Sequence, residues 1–524
     1  MKFLVALAFL VFAYRRLLTY LHIYQQEEYD SGRFLRWVVA RLAFDKRVSI
    51  ALAVAGSLSI AIVLAGWVAA LLATAIFLTA ALLEKDPRSI SKKKLVLTGR
   101  AKRINYTALA LLTLGAFALV NRSLWLWIVL VQFVPVALVL ANLVTTPYEN
   151  SVQKRFWVEA HNKLLTLRPT IIGITGSYGK TSAKHLLGHV LQVQAPTLIT
   201  PGSVNTPMGI ARVVREQLAS HHRFFVCEMG AYGPGSIARL CRLAPPDLGI
   251  ITAIGMAHYE RFRTLEAVAQ TKFELAEAVA GKGGAVVVAS QVLDLAPARE
   301  FVDLHREQTI IVGSDAEASL RILHFAQTEN GIEAEVIWNG RAYLLKAPIY
   351  GEHHVSNMAL AFAAACTLGV TPEDAILALA SVPQISHRLE VKSAPAGARI
   401  IDDAYNSNPA GFASGLKLLA GLSKNGGRRI LVTPGMVELG EAHDEQHRKI
   451  GELAAQNVDV LLAVVPQRIH TLTGAYSAGN PRGQVLPFPS FADAQDWLNA
   501  NLRPDDVVLL ENDLPDLYEK KLKL

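Results

Sequence analysis

The stretch "GITGSYGKTSAKHLL", Gly173–Leu187, sets a glycine-rich turn between a β-branched run and a row of helix formers. "PTIIGIT" before the turn reads as a buried strand and "KTSAKHLL" after it as a helix, a strand–loop–helix unit. The general phosphate-binding pattern G-x-x-x-x-G-K-[ST] needs glycine at position 174, where Ile174 stands. The spacing is instead G-x-x-G-x-x-G-K-T, from Gly173 through Gly176 and Gly179 to Lys180 and Thr181. The chemistry survives this change. Glycines let backbone N–H groups close around phosphate, and the helix N-terminus adds the positive end of its dipole. Lys180 is placed to meet the terminal phosphates of ATP and the Thr181 hydroxyl to ligate Mg²⁺, with Gly176, Ser177, Gly179 and Ser182 completing the cradle.

About 150 residues of a different character precede this loop. Residues 1–150 hold 17 Lys and Arg against 7 Asp and Glu, whereas the whole 524-residue chain carries +8. The basic excess therefore belongs to the first part, where it reads as positive-inside topology or attraction to membrane lipid rather than nucleic-acid binding. Val48–Leu83 runs for 36 residues without a charge, too long for one span of about 20 residues, and predicts a helical hairpin turning near Gly66–Trp67. Ile104–Asn121 and Ser123–Tyr148 predict a second hairpin, with "NRS" as its turn. Between them "EKDPRSISKKKLVLTGRAKR", Glu84–Arg103, carries eight Lys and Arg and is expected in the cytoplasm.

The apolar run Phe3–Tyr14 reads as a short anchor, as a full span reaching Tyr24 or as a signal peptide, giving four or five spans in all. "RFLRWVVARLAF", Arg33–Phe44, reads as a helix in the membrane interface or as a connecting helix. The expectation is a multi-pass region in a bacterial cytoplasmic (inner) membrane, with the remainder of the chain in the cytoplasm. The apolar runs contain no charge, which argues against a transporter. Cys227, Cys241 and Cys366 form no C-x-x-C pair, so neither a zinc ribbon nor a disulfide framework is supported.

Downstream, "RFFVCEMGAYGPGSI", Arg223–Ile237, reads as a strand ending in Glu228, a carboxylate well placed beside such a loop to hold a metal directly or through water. "LGIITAIGMAHYERF" is a further strand followed by His258, and "TLEAVAQTKFELAEAV" is a helix carrying Lys272. "TGSYGKT", with these segments in this order, resembles the Mur ligases, the ATP-dependent amide-forming enzymes that build the peptidoglycan stem peptide. The resemblance implies metal binding by Glu228 and His258, and a CO₂-derived carbamate on Lys272 that helps to hold magnesium. It makes Lys180, Lys272 and His258 the expected catalytic residues. Carbamylation requires an uncharged amine, which desolvation favours.

The likeness continues toward the C-terminus. "YGEHHVSNMALAFAAACTLGV" resembles the family's G-x-H-N-x-x-N helix start, with His354 where the first asparagine is usual and Asn357 matching the second, a nucleotide contact. "ISHRLEV" supplies Arg388 and "IIDDAYNSNPAG" supplies Asp403, matching residues that contact ATP phosphate and ribose. "DDAYNSNP" and "TPGMVELGEAHDEQHRKIG", with Gly435, Glu438 and His447, look most like the branch that adds D-alanyl-D-alanine to UDP-MurNAc-tripeptide. On the same resemblance Asn205 and Asn406 are substrate contacts. Taken without the resemblance, Arg388 is equally an ordinary linker charge and His447 a solvated residue.

Two departures stand out. The family's UDP-holding domain, which precedes the loop, has no counterpart here. The last strand, which usually ends in "KGS" in that branch, reads "DDVVLLENDLPDLY", Asp505–Tyr518. Glu511–Asp513 thus signals either a different incoming amine or a solvated loop.

The expected architecture is an N-terminal helical transmembrane region (1–150), a linker (151–168) and two α/β domains. The first is a P-loop-type parallel-sheet central domain (169–384) and the second a Rossmann-like C-terminal domain (385–524). The resemblance implies a ligase acting through an acyl phosphate. Its partners would be a UDP- or lipid-linked peptidoglycan precursor and an amino acid or dipeptide. The alternatives are a membrane-bound polyglutamate-type polymer synthase and, from another class, a non-catalytic nucleotide-binding membrane scaffold. Folylpolyglutamate synthases also lack the UDP domain, but their loop reads G-K-G.

Overall fold

The computed structural model describes residues 2–61, 66–89, 94–255, 262, 264–394, 397–405, 407–423, 426–437 and 439–513. His258, Asn406 and Glu438 lie outside the described residues. The chain forms two compact units, divided at Lys154/Arg155.

The first unit is helical: α1 (Lys2–Gln26), α2 (Ser31–Ala40), α3 (Lys46–Ala61), α4 (Gly66–Leu83), α5 (Gly99–Leu119) and the start of α6 (Leu124–Leu167). α1 packs against α4 and α5, and Phe9, Phe12, Phe77 and Trp127 meet ring to ring in its core. Arg15 and Arg16 do not end α1. Arg16 is buried between Asp45 and Glu84, with Nη2 3.1 Å from a carboxylate oxygen of each. Residues 151–167, read above as a linker, continue α6 as helix.

These helices correct the expected multi-pass placement in the inner membrane. Among the described residues two helices, Phe3–Gln26 and Leu124–Leu167, are long and apolar enough to cross a membrane, not four or five. α3 has 16 residues, and 67% of the apolar window of α1 is buried inside the protein. A charge-free run records exclusion from water, and packing of helix on helix meets that demand as lipid does. The cytoplasmic placement of the following domains rested on the same topology and falls with it.

The second unit contains two sheets. Strands β1 (Thr170–Thr175), β2 (Thr197–Ile199), β3 (Phe224–Glu228), β4 (Leu248–Ile251), β5 (Ala285–Ala289), β6 (Thr309–Gly313), β7 (Leu320–Thr328), β8 (Gly331–Trp338) and β9 (Arg341–Ala347) lie in the order β2-β3-β1-β4-β5-β6-β7-β8-β9. The first seven in that order are parallel, and β8 and β9 extend the sheet as an antiparallel meander. Around it run α7 (Lys180–Leu191), α8 (Pro207–Gln217), α9 (Ser236–Leu243), α10 (Leu265–Ala280), α11 (Ala296–Leu304), α12 (His353–Thr367) and α13 (Pro372–Ala380). Strands covered on both faces must be apolar throughout, which is why "FFVCE" and "LGII" are buried at every position. The chain goes to one side of β1 for β2 and β3 and to the other for β4. The C-terminal end of β1 is thus the switch point where such sheets bind ligands.

The second sheet has the order β10-β11-β15-β12-β13-β14. It comprises β10 (Glu390–Ser393), β11 (Arg399–Asp403), β12 (Arg429–Thr433), β13 (Val460–Val464), β14 (Gln484–Phe488) and β15 (Val507–Glu511). All but β10 are parallel. Helices α14 (Pro409–Leu422), α15 (His443–Asn457), α16 (His470–Gly479) and α17 (Phe491–Asn501) supply apolar side chains to the cores on its faces. The expected α/β architecture with parallel sheets is what the described residues after Arg168 have.

Candidate active site

The glycine loop joins β1 to α7 as its sequence requires. Gly179 caps α7 in a left-handed conformation (φ 82°), and a Cβ there would lie 2.4 Å from Asn357 Oδ1. Gly176 approaches Thr252 so closely that a Cβ would meet Oγ1 at 1.9 Å. Only glycine fits at either position. Lys180 curls over the loop and donates to the carbonyls of Gly176, at 2.7 Å, and Ser177, at 3.2 Å. Burial lowers its pKa, as do Arg388 and Lys184, while Glu228 opposes the shift.

Glu228 ends β3 one strand away, with its carboxylate buried. Oε2 accepts from Thr181 Oγ1 at 3.0 Å and from Lys184 Nζ at 3.1 Å, and Oε1 accepts from Asn205 Nδ2 at 3.1 Å. Tyr232 in turn donates to Asn205 Oδ1 at 2.8 Å. Burial alone would raise the Glu228 pKa, but Lys184, Lys180 and these donors outweigh it and hold the group below its ordinary value. Lys272 is buried on α10, and desolvation, with repulsion from Lys180, lowers its pKa well below that of a free lysine.

The second sheet closes the other side. Arg388, at the joint, and Asp403, at the end of β11, line the same cavity of about 850 Å³ as Gly179, Lys180, Thr181, Asn205, Glu228 and Asn357. Leu389 N–H donates to Asp403 Oδ1 at 3.3 Å, and His353 Nδ1 lies 3.3 Å from Ser414 Oγ across the joint. Burial raises the Asp403 pKa to about 6, against the pull of Arg388 and the Leu389 N–H.

The structure thus gathers Ser177, Gly179, Lys180, Thr181, Ser182, Asn205, Glu228, Asn357, Arg388 and Asp403 around one cavity. Gly176, which accepts from Lys180 within the loop, and Lys272, buried on α10, do not line it. His354 is turned away. It is buried, its Nδ1 is 3.5 Å from Asn357 Nδ2, and its Nε2 has no partner among the described residues. His447 is neither solvated nor in the cavity: its Nε2 accepts from Met436 N–H at 2.9 Å and its Nδ1 donates to His443 O at 2.7 Å. Glu511 and Asn512 are buried and do not form a solvated loop. Ser407 donates to Glu511 Oε1 at 2.5 Å, and Asn512 Nδ2 donates to Gly435 O at 2.7 Å.

Lys184, Tyr405 and Ser407 were missed by the sequence reading. For Lys184 a signal existed: it follows Lys180 by four residues and so shares its helical face.

Residues 174–365 match the Mur ligase middle domain and residues 387–511 the Mur ligase glutamate ligase domain. The UDP-N-acetylmuramoyl-tripeptide–D-alanyl-D-alanine ligase of Mycobacterium tuberculosis (strain ATCC 25618 / H37Rv) is 34% identical over 370 residues, covering 65% of this chain and 70% of that one. The Bacillus subtilis (strain 168) enzyme of the same name is 30% identical over 288 residues, covering 55% and 61%. The crystal structure of MurF ligase from Thermotoga maritima in complex with ADP superposes with a TM-score of 0.60 at 25% identity, covering 71% of this chain and 82% of that one. The chain belongs to the Mur ligase family. It is an ATP-dependent amide ligase that forms ADP and phosphate, which sets aside the non-catalytic scaffold.

Proposed function

We propose that this ligase extends a peptidoglycan peptide precursor, joining its terminal carboxylate to the amine of an incoming D-alanyl-D-alanine-like dipeptide or amino acid. The observation that carries the reading is the convergence of Lys180, Glu228, Arg388 and Asp403, from two separate sheets, on one cavity. The names of the mycobacterial and Bacillus relatives support the substrate class.

In this reaction the precursor carboxylate attacks the γ-phosphorus of ATP, ADP departs, and an acyl phosphate forms. The amine then attacks the acyl carbon, phosphate leaves, and the amine's proton passes to solvent. Lys180 and the loop N–H groups neutralise charge that spreads over the moving phosphoryl group. Arg388 adds a second cation from the other domain, and Asp403 accepts from the ribose hydroxyls. Asn205, held by Glu228 and Tyr232 on the cavity wall, is suited to contact the substrate.

The donor set fits magnesium, since a hydroxyl (Thr181) and a carboxylate (Glu228) meet at 3.0 Å on the cavity wall and both are hard oxygen ligands. When bound, the ion supplies further neutralisation of the phosphates. Burial lowers the Lys272 pKa and so favours the uncharged amine that would add CO₂ and present the resulting carbamate as an anion.

The test is ADP release by the purified full-length protein, with UDP-MurNAc-tripeptide and a panel of amines including D-alanyl-D-alanine and single amino acids. ADP formed only when both partners are present, with one dipeptide added per precursor by mass, is the expected result. A ladder of repeated additions would favour the polymer synthase instead. Release indifferent to either partner would overturn the assignment.

A further inference from the structure

Lys184 has no role in the chemistry above, yet it is one of the most deeply buried charged side chains in the protein, with 0% of its surface exposed. Desolvating an ammonium costs several kcal/mol unless acceptors surround it. Lys184 has two. Nζ donates to Glu228 Oε2 at 3.1 Å and, in a shorter contact, to the carbonyl of Gly202. Gly202 belongs to the loop between β2 and α8 that also carries Ser203 and Asn205, both on the cavity wall. One ammonium therefore ties the phosphate-loop helix, the Glu228 carboxylate and the substrate-side loop together.

The carboxylate is crowded as a result. Thr181 and Lys184 share Oε2, and Asn205 occupies Oε1. A cation approaching Glu228 from the cavity meets an oxygen whose charge is already partly neutralised from behind.

We propose that Lys184 is a positioning residue that fixes the Glu228 carboxylate and keeps its attraction for magnesium low, so that the ion binds with nucleotide and leaves with it. This rests on the reading of Glu228 as the cation-holding carboxylate. A cation that binds too tightly would retain ADP. Removing the ammonium while keeping the side chain's bulk should therefore strengthen metal binding, whereas loss of a merely structural contact would weaken it.

The test uses the full-length protein and the variants Lys184→Gln and Lys184→Met. ADP affinity is measured by calorimetry across a magnesium titration, alongside the thermal shift produced by magnesium with ADP. The half-saturating magnesium concentration should fall by about tenfold in the variants, equivalent to about 1.4 kcal/mol. Their thermal shift should exceed that of the wild type, because the ion then compensates a buried carboxylate that has lost the Lys184 charge. An unchanged or raised half-saturation in folded variants overturns the proposal. A structure of the wild-type protein with magnesium and ADP gives a readout that needs no variant. Lys184 Nζ should remain within hydrogen-bond distance of Glu228 Oε2, and its departure overturns the proposal even if neither variant folds. Wild-type ADP affinity that ignores magnesium altogether would instead overturn the reading of the site beneath it.

Discussion

The Arg388 guanidinium lies over the ring of Tyr405, its central carbon 4.4 Å from the ring centroid. Arg388 comes from the joint between the two α/β domains and Tyr405 from the loop after β11, and both line the cavity. The flanking residues His387 and Leu389 are left-handed, with φ of 59° and 50°, so the backbone turns sharply on each side of the arginine. Such residues hold that conformation only where the surroundings enforce it.

This arrangement predicts that Arg388→Lys will not be conservative. A lysine keeps the charge but loses the planar stack and the forked donors. kcat/KM for ATP should fall at least about tenfold, or about 1.4 kcal/mol. Tyr405→Ala should cost less, about two- to fivefold, because Tyr405 is half exposed and cation–π contacts at exposed sites contribute about 0.5–1 kcal/mol. Steady-state kinetics on the two variants checks the order, and equal losses would remove the stack from the account.

Asp403 gives the nucleotide site a pH dependence. Burial raises its pKa from 3.8 to about 6, with Asp402 adding to the shift and Arg388 and the Leu389 N–H opposing it. Glu511 pairs with it in register across β11 and β15, and burial followed by the Asp403 charge raises the Glu511 pKa well above its ordinary value. Between about pH 4 and 6 the folded protein binds more protons at Asp403 than the unfolded chain does. Its contribution to stability therefore falls as pH rises through that window. If Asp403 holds the ribose as proposed, nucleotide affinity should run the other way, since the ionised carboxylate is the stronger acceptor. ADP titrations from pH 5 to 8 should show affinity rising through about pH 6, and Asp403→Asn should flatten the profile.

Lys272→Ala should reduce turnover by more than about a hundredfold, the scale of a lost electrostatic contact to the transferred phosphoryl. Short carboxylates in the buffer should restore a measurable fraction by taking the place of the carbamate anion. Intact mass spectrometry in bicarbonate offers an independent view of the added CO₂. Full activity of the alanine variant would eliminate the carbamate.

What was legible in the sequence was local. The strand–loop–helix of Gly173–Leu187 and the strand end at Glu228 each announce themselves within a dozen residues, whereas Asp403 came from the family resemblance. Contacts made by tertiary packing did not. Glu511 reads as a sign of a different incoming amine or as part of a solvated loop until β15 pairs beside β11 and buries it next to Asp403. His447 looks like a solvated helix residue until α15 packs its ring beneath Met436. The N-terminal helices show the same limit from the other side. Their lack of charge required shelter from water, but not which kind, and Arg16 found its partners in Asp45 and Glu84 inside the protein.

The central claim is that Lys180 and the residues around it form a working ligase site. The most direct test compares wild type with Lys180→Ala for ADP release in the presence of UDP-MurNAc-tripeptide and D-alanyl-D-alanine, with circular dichroism confirming that both are folded. Lys180 is half-buried and bonded to the loop carbonyls; if its charge meets the terminal phosphates as proposed, its loss should cost about 3–4 kcal/mol, or a hundredfold and more. The account predicts release of one ADP per dipeptide joined by the wild type and under about a hundredth of that rate in the variant. Turnover above about a tenth of wild type in folded Lys180→Ala protein would contradict it.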